Sequence, residues 1–236
     1  MSTSPSPGRP DQAGDPVHPV RIAEPPGREY TGNAAARPAA GGRGPGALSA
    51  QPVIDVEGAT RAVRSLLVAL GQNPRDEHLR DTPRRVAEAY TEFLTARPFV
   101  MTTFPNDEGY DELVLAKAIP FRSLCEHHML PFHGVAHVGY LPGARILGLS
   151  KLARVVEHFA RGLQVQERLT KQVADWLQDH LTPRGVGVVL EAEHLCMTLR
   201  GVRATGSRTV TSALHGLQRE DARSRSEFFA LAGLTR

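Results

Sequence analysis

The sequence predicts an α+β fold in which an antiparallel sheet is backed by helices. Segments with the alternating or continuous apolar pattern of strands lie at 112–119 and 133–141, and two more lie at 186–192 and 194–200. Two patterns of helical spacing separate the first pair of strands from the second. A helical pair enclosed by strand pairs is typical of an antiparallel sheet that carries its helices on one face.

Two helices are predicted ahead of the sheet. Apolar residues recur at helical spacing over about 56–70, and Gly71 supplies a stop. Asp81-Thr82-Pro83 has the composition of a capped helix start with proline in the first turn, so a second helix is predicted over about 82–96. After the last strand pair, the Ser- and Thr-rich segment 206–216 predicts a further strand with turns.

The first 50 residues differ in composition from the rest of the 236-residue chain. Residues 1–50 are rich in Pro, Gly, Ala and Arg and almost lack apolar periodicity, which predicts a disordered tail because such a segment buries too little surface to offset its chain entropy. The folded domain is predicted to span 51–236, with its sheet core at about 112–231. No apolar stretch of about 18 residues and no secretory signal pattern occurs, so we expect no membrane partner and a cytoplasmic location.

The charge of the chain gives weak guidance on partners. The formal net charge is +3, and only three of the 28 basic residues are lysines. Arginine binds phosphate well through its planar fork, but an arginine excess can equally reflect genome composition. No run of five basic residues interleaved with aromatics occurs, so a nucleic-acid partner is not expected.

The chain contains two cysteines, and each lies within three residues of a histidine. Two cysteines are too few for a disulfide framework, and they suit a metal site or a catalytic thiol better. Three protein ligands, Cys125, His128 and Cys196, would leave a fourth zinc position for water, as in catalytic sites. His127 and His194 would then be free for proton transfer. Inert buried cysteines and histidines that only hydrogen-bond within the fold are the alternatives.

The chain resembles the GTP cyclohydrolase I family in four ordered segments. These are the SLCEHH sequence at 123–128, GLSK at 148–151, QVQERLT at 164–170 and HLC at 194–196. The resemblance extends over about 81–231 and does not include the tail. It implies the tunnelling fold (T-fold) of that family, an antiparallel sheet backed by helices, and a ring-shaped homodecamer with active sites between subunits.

The resemblance also implies a reaction and the residues that perform it. The residues that bind zinc (Zn2+) in the family correspond to Cys125, His128 and Cys196. The catalytic histidines of the family correspond to His127 and His194. The implied reaction opens the five-membered ring of GTP at C8, releases formate and rearranges the ribose to give 7,8-dihydroneopterin triphosphate. This reaction is the first step of tetrahydrofolate and pterin biosynthesis.

Substrate contacts follow from the same resemblance. Glu167, flanked by Gln166, is implied to read guanine, because a carboxylate accepts from N1–H and the exocyclic amine together and adenine cannot match that pair. Ser150 is implied to assist the ribose rearrangement. The triphosphate is implied to bind cations at Lys151, Arg154, Arg200 and, from a neighbouring subunit, Arg85. Without the resemblance, the sequence favours Glu167 as a solvated charge at a helix start. The alternative for the cations is that they are ordinary surface charges.

Two other functions fit the sequence. A pathway-dedicated paralogue would make the same product for deazapurines or other pterin-derived metabolites. A non-catalytic protein on the same fold would carry a structural zinc and could dispense with His127 and His194, both of which are present here. The chain departs from the family pattern in its tail and at Gly162, where an arginine is common.

Overall fold

A computed structural model describes residues 53–234 as two sheets and seven helices. The helices are α1 Val56–Ala69, α2 Thr82–Leu94, α3 Ser150–Ala160, α4 Gln166–Leu181, α5 Leu195–Thr198, α6 Leu217–Glu220 and α7 Ala222–Ala232. The strands are β1 Thr103–Pro105, β2 Val114–Cys125, β3 Pro131–Leu141, β4 Arg145–Leu147, β5 Leu163–Gln164, β6 Gly185–His194 and β7 Thr209–Gly216. The main sheet has the order β5-β2-β3-β6-β7, and β1 pairs with β4 in a second sheet.

The main sheet is antiparallel except at one edge, where the two-residue β5 runs parallel to β2. One face packs against α3 and α4, because alternate residues of each strand point to the same side and are apolar. The β3 residues on this side are buried, as are the inward residues of α4: Phe132, Ala136, Val138, Tyr140, Leu169, Val173 and Leu177. The predicted α+β fold, with an antiparallel sheet backed by helices, is therefore confirmed.

The other face of the sheet is covered by a helix that the sequence prediction did not include. Phe228 of α7 is fully buried and lies over Gly139 of β3 and Gly187 of β6, which are partners across the two strands. A Cβ atom at Gly187 would lie 2.9 Å from the Phe228 ring, and one at Gly139 would lie 3.2 Å from it. Glycine at both positions thus makes room for the aromatic ring.

The predicted strands are confirmed in position, with two corrections. The first strand continues past 119 to Cys125; Pro120 is tolerated because β2 has no second neighbour until Leu124 meets β5. The strand predicted at 194–200 is wrong. The chain leaves the sheet at His194 and forms the short helix α5, although the residues that follow include an apolar run.

The predicted helices at 56–70 and 82–96 are confirmed as α1 and α2, each slightly shorter than expected. The expected cap at Asp81 is absent, because Asp81 makes no side-chain cap hydrogen bond to α2. Ser150 is the first residue of α3. By contrast, Asp55 caps α1 by accepting from the Gly58 amide at 2.8 Å.

Two further sequence expectations concern the tail and the membrane. The expected disordered segment 1–50 lies outside the described residues, so the domain boundary at 51 stays a prediction. Within residues 53–234, no helix combines the length and apolar character needed to cross a membrane.

His137 is a buried histidine on the face of the sheet opposite α3 and α4. Its Nδ1 has no hydrogen-bond partner among residues 53–234. Burial lowers the pKa of His137 below its ordinary value; the nearby Glu191 opposes this effect and Lys117 adds to it. The native state therefore favours the neutral imidazole.

We expect Phe228→Ala to destabilise the fold by ~3–5 kcal/mol, because it leaves a cavity over Gly139 and Gly187. Leu231→Ala, on the same helix but half exposed, should cost under about 1 kcal/mol. Urea unfolding followed by circular dichroism measures both variants. Equal losses for the two variants would contradict the role given to Phe228.

We expect His137 to make the protein less stable in acid. In the unfolded chain His137 takes up a proton at about pH 6.5, whereas in the folded chain it does so only at a lower pH. The contribution of the neutral His137 to the free energy of unfolding is therefore fully present above about pH 6.5, and it is lost as the pH falls from there towards the folded pKa. His137→Leu should make this fall shallower, leaving a residual slope from His158 and His194, whose pKa values burial also lowers. The melting temperature measured from about pH 7.5 to about pH 5 tests this, with the exposed His78→Leu as control. A wild-type slope in His137→Leu would refute it.

Candidate metal and active site

Two cysteines and a histidine from distant parts of the chain meet at one end of the main sheet. Cys125 ends β2, His128 lies in the turn that follows, and Cys196 lies in α5 just after β6. The ligand atoms of these three residues all lie within 4.8 Å of one another. The fold thus brings together the three residues predicted as metal ligands.

Strand pairing explains this convergence. β3 lies between β2 and β6, so that Leu124 pairs with Pro131 and Phe132 pairs with His194. The Cys125 amide also donates to the Leu130 carbonyl at 2.9 Å, which closes the turn. The ends of β2 and β6 are therefore held beside the same end of β3.

The histidines of the turn lie close to the first cysteine. Cys125 Sγ is 3.8 Å from His127 Nδ1 and 3.9 Å from His128 Nδ1. Both cysteines are buried free thiols, whereas both histidines are exposed. Burial and the neighbouring Cys125 raise the pKa of the Cys196 thiol, and Arg200 partly opposes the rise. A cation between the sulfurs would reverse this effect, because thiolates are stabilised by a metal.

His194 is held from two sides at the end of β6. Its ring stacks on Phe132 with centroids 4.6 Å apart and an interplanar angle of 2°. Its Nε2 lies 2.7 Å from Oε1 of Gln166, the first residue of α4. Burial lowers the pKa of His194, and the carboxylate of Glu167 opposes the shift.

Glu167 is exposed in the first turn of α4 and lines a cavity of about 530 Å³ beside β7. Lys171, Asp175 and Arg219 line the same cavity, and Lys171 pairs there with Asp175 at 2.6 Å. Glu167, the residue predicted to recognise guanine, therefore lies in an open cavity beside β7, the edge strand of the main sheet.

Neither Ser150, predicted to assist the ribose rearrangement, nor the cations predicted to bind the triphosphate line this cavity. Ser150 and Arg154 are exposed on α3, with Lys151 half-buried between them; Arg154 lines a second cavity of about 380 Å³ between α2, β2 and α3. Arg85 pairs with Asp81 on α2 at 3.5 Å. No hydrogen bond or ion pair within residues 53–234 connects these four residues to the cysteine and histidine group. Arg200, the remaining predicted phosphate contact, is close enough to the group for its charge to lower the pKa of Cys196.

The sequence prediction missed Arg168, which ties the histidine turn to α4. Its Nη2 donates to Glu126 Oε2 at 2.6 Å and to the Leu163 carbonyl at 2.7 Å, and its Nε donates to Gln164 Oε1 at 2.8 Å. The Glu126 amide in turn donates to the Gln164 carbonyl at 3.0 Å. The sequence offered two signals for this contact: Arg168 directly follows Glu167, and Glu126 lies between Cys125 and His127, and neither had been given a role.

Fold and site together define a class: an α+β protein whose sheet gathers a three-residue group able to hold a metal ion, flanked by two further histidines. Such an arrangement is typical of metal-dependent hydrolytic enzymes. The sequence profile of GTP cyclohydrolase I matches residues 59–233. The chain belongs to the GTP cyclohydrolase I family and is an enzyme of that type; its sheet and helices form the T-fold that the resemblance implied.

Individual relatives agree with the family profile. A GTP cyclohydrolase 1 of Aquifex aeolicus is 52% identical over 178 residues, which cover 75% of this chain and 97% of that protein. The GTP cyclohydrolase 1 of Mycolicibacterium vanbaalenii is 56% identical over 174 residues, covering 72% and 86% of the two chains. That of Mycobacterium tuberculosis is 54% identical over 180 residues, covering 74% and 89%.

Among solved structures, the apo form of an archaeosine synthase QueF-like protein covers 45% of this chain and 94% of its own. Its TM-score is 0.34 and its sequence identity is 15%. This likeness is too low to bear on fold or function.

We expect Arg168→Met to lower the kcat/KM of the cyclohydrolase reaction by about tenfold or more, because the turn that carries His127 and His128 loses its anchor. The fold should persist, since the ion pair with Glu126 is partly exposed and contributes little to stability. Arg84→Met removes a comparable pair with Glu88 on the surface of α2 and serves as the control. Unchanged kcat/KM in Arg168→Met would contradict the anchoring role.

Proposed function

We propose that this protein converts GTP to 7,8-dihydroneopterin triphosphate and formate in a zinc-dependent hydrolysis and rearrangement. The observation that carries the proposal is the convergence of Cys125, His128 and Cys196 to within 4.8 Å, with His127 beside them. The names of the relatives, each a GTP cyclohydrolase 1, support GTP as the substrate.

The donor set fits zinc. Two thiolates and one imidazole are ligands that Zn²⁺ prefers, and three protein ligands are the number found in catalytic zinc sites. Zinc held by Cys125, His128 and Cys196 would supply Lewis acidity and hydroxide at neutral pH.

His127 and His194 act as the proton carriers in this proposal. His127 is exposed beside Cys125, and the half-buried His194 favours its neutral form. A neutral imidazole can take a proton from water as the guanine ring opens and return it to the departing nitrogen. Ser150 is assigned to the ribose rearrangement on the resemblance alone.

Glu167 is assigned to guanine recognition. Its carboxylate lies in the cavity beside β7 and acts electrostatically on His194, so a base held by Glu167 would lie near the proton carrier. N1–H and the exocyclic amine of guanine both donate, and one carboxylate accepts both. Adenine lacks this pair of donors and would leave the carboxylate unsatisfied.

The triphosphate is assigned to Lys151, Arg154, Arg200 and Arg85, the last from a neighbouring subunit. The Arg154 and Glu167 cavities are separate within one chain, which supports a site completed by another copy. We therefore propose a homo-oligomer, a decamer by resemblance to the family.

Incubation of the purified protein with GTP tests the proposal. We expect pterin absorbance and formate to appear together and a zinc chelator to abolish both. His127→Ala should lower turnover by at least ~100-fold while about one zinc per chain is retained, because His127 moves a proton and does not hold the metal. The exposed His78→Ala is the matched control. Metal-bound protein that leaves GTP unchanged would overturn the proposed function, and loss of zinc in His127→Ala would make His127 a ligand.

A further inference from the structure

The side-chain amide of Gln166 is buried at the start of α4, with 1% of the residue exposed. Its Nε2 lies 3.1 Å from the Leu190 carbonyl and 2.9 Å from the Thr209 carbonyl. The same nitrogen lies 3.1 Å from the Thr211 hydroxyl. Its Oε1 faces His194 Nε2 at 2.7 Å. Every polar atom of this side chain is therefore engaged inside the chain.

The two carbonyl groups fix which way the amide points. A carbonyl oxygen only accepts hydrogen bonds, so the atom that faces Leu190 and Thr209 must be the donating NH₂ group. A flipped amide would place its oxygen against two carbonyl oxygens in a buried site, which is costly. Oε1 must consequently face His194.

The hydroxyl groups around Gln166 agree with this direction. The Thr170 hydroxyl donates its hydrogen to the main-chain carbonyl of Gln166 at 2.8 Å. In its 2.6 Å contact with the Thr211 hydroxyl, Thr170 must therefore accept. The Thr211 hydroxyl therefore donates its hydrogen to the Thr170 oxygen, and the Thr211 oxygen accepts from Gln166 Nε2. The network is consistent only with Oε1 directed at His194.

The amide direction decides where His194 carries its hydrogen. Because Oε1 can only accept, the neutral imidazole must bear its hydrogen on Nε2. Nδ1 is then the ring nitrogen with a lone pair. The parallel stack on Phe132 holds the plane of the ring, so both the plane and the hydrogen position are set within the chain.

We propose that Gln166 is a positioning residue that fixes His194 in the tautomer with hydrogen on Nε2, so that Nδ1 is the atom that exchanges protons with substrate. This inference rests on the proposed function of His194 as proton carrier. On this inference the Gln166 side chain orients His194 and does not contact guanine directly. Recognition of the base is then left to Glu167.

Kinetics of two Gln166 variants test the proposal. Gln166→Met keeps the length of the side chain but loses the acceptor, and it should lower kcat by ~10–100-fold with the KM for GTP changed less than about threefold. In Gln166→Glu the buried carboxyl stays protonated beside the carbonyls, so its remaining oxygen still accepts from His194 and kcat should recover several-fold relative to Gln166→Met. Gln178→Met makes the same exchange near the other end of α4 and serves as the control.

The outcomes separate the alternatives. A higher KM with unchanged kcat in Gln166→Met would make Gln166 a substrate contact and overturn the proposal. Equal kcat values in Gln166→Met and Gln166→Glu would show that the acceptor is not what matters. Loss of turnover in His194→Asn tests the proposed function separately, since full activity there would refute His194 as a proton carrier whatever the Gln166 variants do.

A spectroscopic measurement on the unmodified protein remains decisive if Gln166→Met fails to fold. Solid-state NMR of protein labelled with ¹⁵N-histidine distinguishes a ring nitrogen that bears hydrogen from one that does not. The His194 signals are assigned by their absence in His194→Asn. We expect hydrogen on Nε2 and a bare Nδ1; hydrogen on Nδ1 would overturn the proposal.

Discussion

The pairing of β3 with β2 on one side and with β6 on the other is the constraint on which the site depends. Cys125 and Cys196 are 71 positions apart in the sequence, yet each follows or ends a strand that borders β3 at the same end of the sheet. A shift of one residue in either register would turn every side chain of that strand to the opposite face. The cluster of Cys125, His128 and Cys196 therefore forms only when both strand pairs are in register.

Both faces of the sheet hold this register. On one face, α3 and α4 pack against the alternating apolar residues of the strands. On the other, Phe228 fills the space over Gly139 and Gly187, which are paired on β3 and β6. A sheet packed on both sides cannot slide without losing buried contacts from two layers, so the fold protects the geometry of its site.

The first three residues of α4 point in different directions and contact different parts of the candidate site. Gln166 points inward to His194, Glu167 lies in the open cavity, and Arg168 reaches Glu126 in the histidine turn. Successive helix positions are turned by about 100°, which is why one helical turn can address three neighbours. The start of α4 thus connects the Glu167 cavity, His194 and the turn that carries His127 and His128 through one helical turn.

The sequence by itself determined the residue types and most elements: the helix and strand patterns, the pairing of each cysteine with a nearby histidine, and the ordered segments that identify the family. It could not determine the partners of Gln166 and Arg168, because hydrogen bonds to carbonyls as distant as Thr209 have no periodic signature in the chain. It also misjudged 194–200, where an apolar run suggested a strand and the backbone instead turns to form α5 beside Cys125. Tertiary structure decided these features, since they depend on which strand ends meet and which atoms remain unsatisfied once the sheet has formed.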